Sequence, residues 1–170
     1  MTGRLIILSG LPGAGKTALA RELARALGAV HLRADTIEQA LRQSGRVEDV
    51  ADLGYRAAYA IALDNLRLGH TVVADTVNPI PLTRRAWRAV ARAAGAASLD
   101  VEVVCGDPVE HRRRVETRAR DIPGHVDPSW AEVLARDYRP WRGARLRIDT
   151  AGRTVKDGLA VVRAALAEGA

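Results

Sequence analysis

The chain has 170 residues, 48% of them hydrophobic, which suits one packed domain spanning 1–170 and excludes wholesale disorder. The net charge is +6 and all but two of the 26 basic residues are arginine, yet aromatics make up only 4% and do not interleave with the basic positions, so a base-stacking nucleic-acid surface is disfavoured. The single cysteine, Cys105, excludes an internal disulfide and no apolar run reaches membrane-spanning length, so the expected setting is the cytoplasm, with no membrane partner.

Residues 5–8 are a short apolar run that predicts a buried strand. Residues 18–27 place Leu19, Leu23 and Leu27 at four-residue spacing, and Gly28 stands where a helix-ending glycine belongs. A second strand is expected over 30–33, a helix over 36–42, and a longer helix over 50–68 closed by Gly69. A third strand follows at 71–74, a helix at 82–94 ending at Gly95, and a fourth strand at 101–105. Asp107-Pro108-Val109-Glu110 reads as a helix start, with a capping aspartate, proline at the first helical position and glutamate at the third. The break at Ile122-Pro123-Gly124 precedes a helix near 129–136, a fifth strand at 146–148 and a closing helix at 155–166. Strands alternating with helices predict an α/β fold of three layers, a five-stranded parallel sheet covered on both faces.

Gly10-Leu11-Pro12-Gly13-Ala14-Gly15-Lys16-Thr17 fits G-x-x-x-x-G-K-[ST] and lies between a predicted strand and a predicted helix, the context a P-loop requires. Gly10, Gly13 and Gly15 let the backbone curl around Ala14 so that successive N–H groups face phosphate oxygens. The helix start adds its positive dipole end. Lys16 is placed to reach the β- and γ-phosphates and Thr17 to offer a hydroxyl to Mg²⁺. The expected ligands are therefore ATP and Mg²⁺.

Asp35 and Asp75 follow the second and third strands, and in a parallel sheet both strand ends lie along the ligand-binding edge. Asp75 has the apolar-run-then-aspartate form of a carboxylate that holds Mg²⁺ or its water shell. Thr76 follows it, where a water-activating hydrolase often has a second acid, so transfer is favoured over hydrolysis. Asp35 is the candidate base for an acceptor hydroxyl. A competing reading makes Asp35 and Glu38 a helix capping box. Helix 111–120 places His111, Arg114 and Arg118 on one face, with Arg113 and Arg120 opposite. Arg114 and Arg118 are candidates to close over the triphosphate on a short helical lid, about 109–127, with the Ile122-Pro123-Gly124 break toward one end of it.

These residues resemble the P-loop kinases of the polynucleotide 5′-hydroxyl kinase, chloramphenicol phosphotransferase and zeta-toxin group, AAA-like ATP-binding proteins. The resemblance rests on Gly10 to Thr17, Asp35, Asp75-Thr76-Val77-Asn78 with Arg84-Arg85 and Trp87, and Arg114-Val115-Glu116-Thr117-Arg118. It implies a P-loop NTPase fold with the loop at the sheet centre, Asp35 as the base, Arg114 and Arg118 as lid arginines, and Asp75 near metal or acceptor. Polynucleotide kinases of this type have an arginine three residues after the base; here Glu38 stands there, so a small neutral or cationic hydroxyl acceptor is expected rather than a nucleic-acid end. The acceptor is expected near Glu38, Asn78 and Trp87. Tyr55 and Tyr59 are candidates to line its pocket or to pack, and Trp130, Tyr138 and Trp141 for core, lid or acceptor site. The expectation is thus an ATP-dependent kinase with an alcohol acceptor; alternatives are a 5′-hydroxyl kinase, a nucleotide-gated module with weak hydrolysis, and a toxin-like enzyme acting on a sugar nucleotide.

Overall fold

The computed structural model describes residues 3–46, 49–50 and 52–168. Five strands form one sheet: β1 (Arg4–Ser9), β2 (Val30–Arg33), β3 (Val72–Asp75), β4 (Ala97–Val104) and β5 (Leu146–Asp149). Their order is β2-β3-β1-β4-β5 and every pairing is parallel. The register pairs Leu8 with Asp75 and Asp75 with Arg33. The loop after β1 therefore opens at the sheet centre, and the ends of β2 and β3 stand beside it.

The helices are α1 (Lys16–Leu27), α2 (Ala34–Gln43), α3 (Leu53–Arg67), α4 (Pro81–Ala93), α5 (Pro108–Thr117), α6 (Trp130–Ala135) and α7 (Val155–Glu168). Side chains alternate across a strand, so β1 serves both faces. Ile6 and Leu8 pack with Leu19 and Leu23 of α1 and Val162 of α7. Leu5 and Ile7 pack with Ala58 and Ala62 of α3 and Trp87 of α4. All four β1 residues are fully buried, each contributing about 1.5–3 kcal/mol relative to exposure. Both faces being covered explains why residues 5–8 read as a continuous apolar run. Among the described residues no helix is long and apolar enough to cross a membrane.

Three element boundaries differ from expectation for physical reasons. Strand β2 runs straight into α2, so Arg33 is the residue before the helix and Asp35 lies inside its first turn. No side chain caps α2, and the capping box expected of Asp35 and Glu38 does not form. Strand β4 begins at Ala97 because it pairs with β1 over its whole length, Arg4 to Ser9, and the polar Asp100 and Glu102 are accommodated by Arg88 and Arg145 at 2.6 Å each. Helix α5 stops at Thr117, leaving Arg118 as an extended C-cap residue. Its start is as read, with the Asp107 side chain accepting from the N–H groups of Val109 and Glu110. Helix α3 starts at Leu53; Ala51, within the helix expected over 50–68, lies outside the described residues, as do Val47 and Glu48.

Candidate active site

The loop from Gly10 to Gly15 is a cradle that tolerates no side chain at its glycines. Gly10, Gly13 and Gly15 have φ of 149°, 80° and 98°, values that glycine adopts without strain. A Cβ on Gly10 would fall 2.1 Å from the Val103 carbonyl oxygen, and one on Gly13 would fall 2.5 Å from Val115 Cγ2. Two neighbours brace the loop from outside. His111 places Nε2 2.8 Å from the Pro12 carbonyl oxygen, and the Thr150 hydroxyl donates to Ala14 O at 2.9 Å. Trp130 packs edge-on to His111 at 5.1 Å, so it is a buttress rather than an acceptor contact.

Lys16 opens α1 and is 8% exposed. Its Nζ donates to Leu11 O at 3.0 Å. Burial lowers its pKa; Asp75 and Asp35 pull the other way, and the charges of Arg118 and Arg136 add to the lowering. A buried cation at the start of a helix that follows a glycine loop is the chemistry of a polyanion site.

Asp75 is almost completely buried. Burial alone would raise its pKa, but the hydrogen bond from His31 at 3.3 Å, the charge of Lys16 and the Thr17 hydroxyl hold the carboxyl below its ordinary value. An ionised carboxylate next to a threonine hydroxyl is a pair of hard oxygen donors, which suits Mg²⁺, an ion that keeps several waters and takes one or two protein groups plus phosphates. Thr17 and Asp75 therefore fit the metal.

Asp35 lines the same cleft with its side chain 44% exposed. Arg33 lies between the two carboxylates, its Nε 3.8 Å from Asp35 Oδ2 and 4.0 Å from Asp75 Oδ2. His31, Arg33 and Thr150 escaped the sequence reading. The signal for Arg33 and Thr150 was present, since both stand at strand ends along the edge that singled out Asp35 and Asp75.

Arg114 lies against Gly15: Nη1 donates to the Thr150 hydroxyl at 2.7 Å, and Nη2 to Thr150 O at 2.9 Å and Glu110 at 2.5 Å. Arg118 faces the cleft and pairs with Asp127. The segment between α5 and α6 folds back over the sheet edge. Asp121 receives Arg21 and Arg33, and the Gln43 side chain donates to Pro123 O at 3.0 Å. Beneath it a cleft of about 1470 Å³ runs from Thr150 and Arg114, past Lys16 and Asp35, to Glu38, Tyr55 and Tyr59. Pockets for one drug-sized ligand are roughly 300–1,000 Å³, so this one has room for two.

The acceptor end corrects part of the sequence reading. Asn78 and Trp87 are fully buried and do not line the cleft. Trp87 Nε1 donates to Asn78 Oδ1 at 3.1 Å, and Asn78 Nδ2 donates to Ser9 Oγ at 2.9 Å. Asn78 adopts a positive φ of 47°, fixed by these bonds, and the Tyr55 hydroxyl accepts from its N–H at 3.0 Å. The pair supports the floor of the site instead of touching its contents. Arg84 is equally buried, donating to Asn78 O and Arg139 O and lying over Trp141 at 4.3 Å. Tyr138 accepts from Trp141 Nε1, so Tyr138 and Trp141 belong to that structural cluster. Tyr55 and Tyr59 both line the cleft and pack, Tyr59 edge-on to Trp87 at 4.6 Å. Glu38 presses on Gly54 of α3. Burial, then the nearby Asp35, raises its pKa, and Arg42 at 3.6 Å opposes this. Its charge is answered within α2 by Arg42.

Comparison with known proteins agrees with this geometry. Residues 5–137 match the model of a family described as an AAA domain. An uncharacterized protein of Mycobacterium tuberculosis is 33% identical over 168 residues, covering 89% of this chain and 32% of that protein. The chain spans 32% or less of the length of the curated relatives it matches. Among solved structures, a Chloroflexus aurantiacus protein assigned as a kinase superposes with a TM-score of 0.76 at 22% identity, covering 96% of this chain and 98% of that one. The Mycobacterium tuberculosis APS kinase CysC, solved with AMPPNP and APS, gives 0.71 at 20% identity, covering 97% and 98%. With its central glycine loop, five parallel strands and a family match over most of its length, the chain belongs to the AAA-domain family and has a kinase-like P-loop NTPase fold.

Proposed function

We propose that the chain transfers the γ-phosphoryl group of ATP to a hydroxyl of a small-molecule acceptor. The observation that carries this reading is the placement of buried Lys16 and the accessible Asp35 carboxylate on one cleft large enough for two ligands. The solved relative that holds both AMPPNP and APS supports a nucleotide as one of them. The contact between Gln43 and Pro123 narrows the acceptor end, which suits a small molecule better than a polymer terminus.

In this reading the amides from Gly13 to Thr17 hold the phosphates, with Gly10 and Ala14 setting the curl. Lys16 leaves the Leu11 carbonyl and turns to the β- and γ-oxygens. Thr17 and Asp75 would hold Mg²⁺, which neutralises charge on those oxygens when bound. Asp35 accepts the proton of the acceptor hydroxyl. The acceptor oxygen bonds to phosphorus as the bond to the β,γ-bridging oxygen breaks, and ADP leaves with that electron pair. Arg114 and Arg118 offset the charge that develops on the nucleotide side. An Asp35→Asn variant tests the reading. Incubated with a metabolite extract and γ-labelled ATP, it should bind ATP as before and lose roughly 10²-fold or more of product formation. Undiminished product would remove Asp35 as the base.

A further inference from the structure

We infer that Gln39 is the acceptor-recognition residue of this cleft, and that the acceptor is a neutral alcohol presenting a second uncharged hydrogen-bonding group, a hydroxyl or an amide, to the Gln39 side chain; the inference rests on the phosphotransfer reading above. Asp35, Gln39 and Gln43 recur at four-residue spacing on α2, so they share one face of that helix. All three line the cleft. The outer two are accounted for. Asp35 stands beside Arg33 and is the proposed base, and Gln43 donates to Pro123 O at 3.0 Å. The middle one is not. Gln39 is 7% exposed, and besides Ala34 it is the residue that α2 buries. Its side-chain amide forms no hydrogen bond among the described residues.

Burying an amide forfeits its bonds to water, and native proteins nearly always replace them. Here the covering segment shuts out solvent without doing so. It passes so close that a Cβ on Gly124 would fall 3.0 Å from Gln39 Nε2, yet the neighbouring Pro123 carbonyl is taken by Gln43. Other polar groups at that end are also engaged: Glu38 with Arg42, and the Tyr55 hydroxyl with the Asn78 N–H. The open amide therefore borders the space left for the second ligand, one helical turn along from Asp35, with the two Cβ atoms roughly 5–6 Å apart. An amide carries N–H donors and a carbonyl acceptor but no charge. A hydroxyl or another amide answers both kinds of atom. A carboxylate or phosphate has no proton to offer the carbonyl and finds no countercharge on Gln39. A monohydric alcohol held at Asp35 would leave the amide as it is. An acceptor with two neutral polar groups spans from the base to Gln39 and satisfies it.

Gln39→Met keeps the length of the side chain and removes the amide. Because no bond inside the protein is lost, its melting temperature should equal or exceed that of wild type. Calorimetry on protein loaded with Mg²⁺ and AMPPNP measures acceptor binding without turnover. The probes are neutral sugars and polyols, hydroxy amides, the carboxylated and phosphorylated counterparts of both, and monohydric alcohols of similar size; the first two groups separate the two sources of the second polar group. Binding is expected from a neutral polyol, sugar or hydroxy amide, roughly tenfold weaker to Gln39→Met, with AMPPNP affinity equal in the two proteins. A melting temperature lowered by several degrees, undiminished acceptor binding by Gln39→Met, binding confined to anionic or monohydric probes, or no binding by any probe would overturn the inference. The same probes with γ-labelled ATP separate it from the phosphotransfer reading. Gln39-dependent binding without labelled product counts against transfer and leaves Gln39 assigned. Labelled product formed at equal KM by wild type and Gln39→Met removes the Gln39 assignment and leaves transfer standing.

Discussion

Arg33 Nη1 meets Asp121 Oδ2 at 2.8 Å, and this contact ties the end of β2 to the segment that covers the cleft. Burial alone would raise the Asp121 pKa, but hydrogen bonds from Arg33 and Arg21 outweigh it and hold the carboxyl below its ordinary value. A depressed carboxyl contributes stability above its unfolded pKa and loses it as pH falls through the folded one. The pair is partly exposed, so its share of global stability is about 1 kcal/mol or less. Asp121→Asn should therefore barely shift the melting temperature while loosening the cover. Limited proteolysis within 118–127 should be several-fold faster than in wild type. Equal rates would show that Asp121 does not hold the segment down.

The buried pair Trp87 and Asn78 gives a contrasting expectation. Trp87→Ala empties a fully buried site and strands the Asn78 amide. The cost should be about 3–5 kcal/mol in a denaturant melt. At a temperature where the variant remains folded, ATP affinity should change little, because Trp87 does not line the cleft. A large affinity change with small loss of stability would return Trp87 to the site.

Much of this arrangement was legible in the residues. Strand–helix alternation and the buried run at 5–8 follow from hydrophobic pattern, and the P-loop follows from glycine positions that only a φ-permissive residue fills. That Asp35 and Asp75 line one cleft follows from parallel strands ending along one edge. Asn78 and Trp87 were misplaced because a polar and an aromatic residue near a P-loop look alike whether they face the cleft or support it. The bond between them joins positions nine apart across a turn, and no local pattern encodes it. The capping box at Asp35 and Glu38 has suitable spacing, but the direct passage from β2 into α2 puts Asp35 two positions too deep. The pairs that hold the covering segment span many residues, Arg33 to Asp121 and Arg21 to Asp121, so only tertiary structure reveals them.

Tyr55 supplies a pH-dependent expectation. Burial pushes its hydroxyl up to about 12 from an ordinary value of 10.0. The folded state then keeps a proton that the unfolded state loses, so stability falls as pH rises from about 10 toward about 12. The full effect is about 2–3 kcal/mol, of which roughly 1 kcal/mol should appear between pH 9 and pH 11. Tyr55→Phe should lose correspondingly less stability over that interval in urea melts. Tyr59, also raised by burial, remains in both proteins. Identical pH dependence in the two would show that Tyr55 titrates normally.

The account depends most on the grip that the loop and Lys16 have on a nucleotide. Calorimetry of wild type and Lys16→Met with ATP and Mg²⁺ examines it directly. Wild type should bind. Lys16→Met should bind roughly 10–100-fold more weakly, the loss of a charge-assisted contact, while its nucleotide-free melting temperature holds or rises because a buried charge has been removed. Wild type with no affinity for ATP, or Lys16→Met with undiminished affinity, would contradict it.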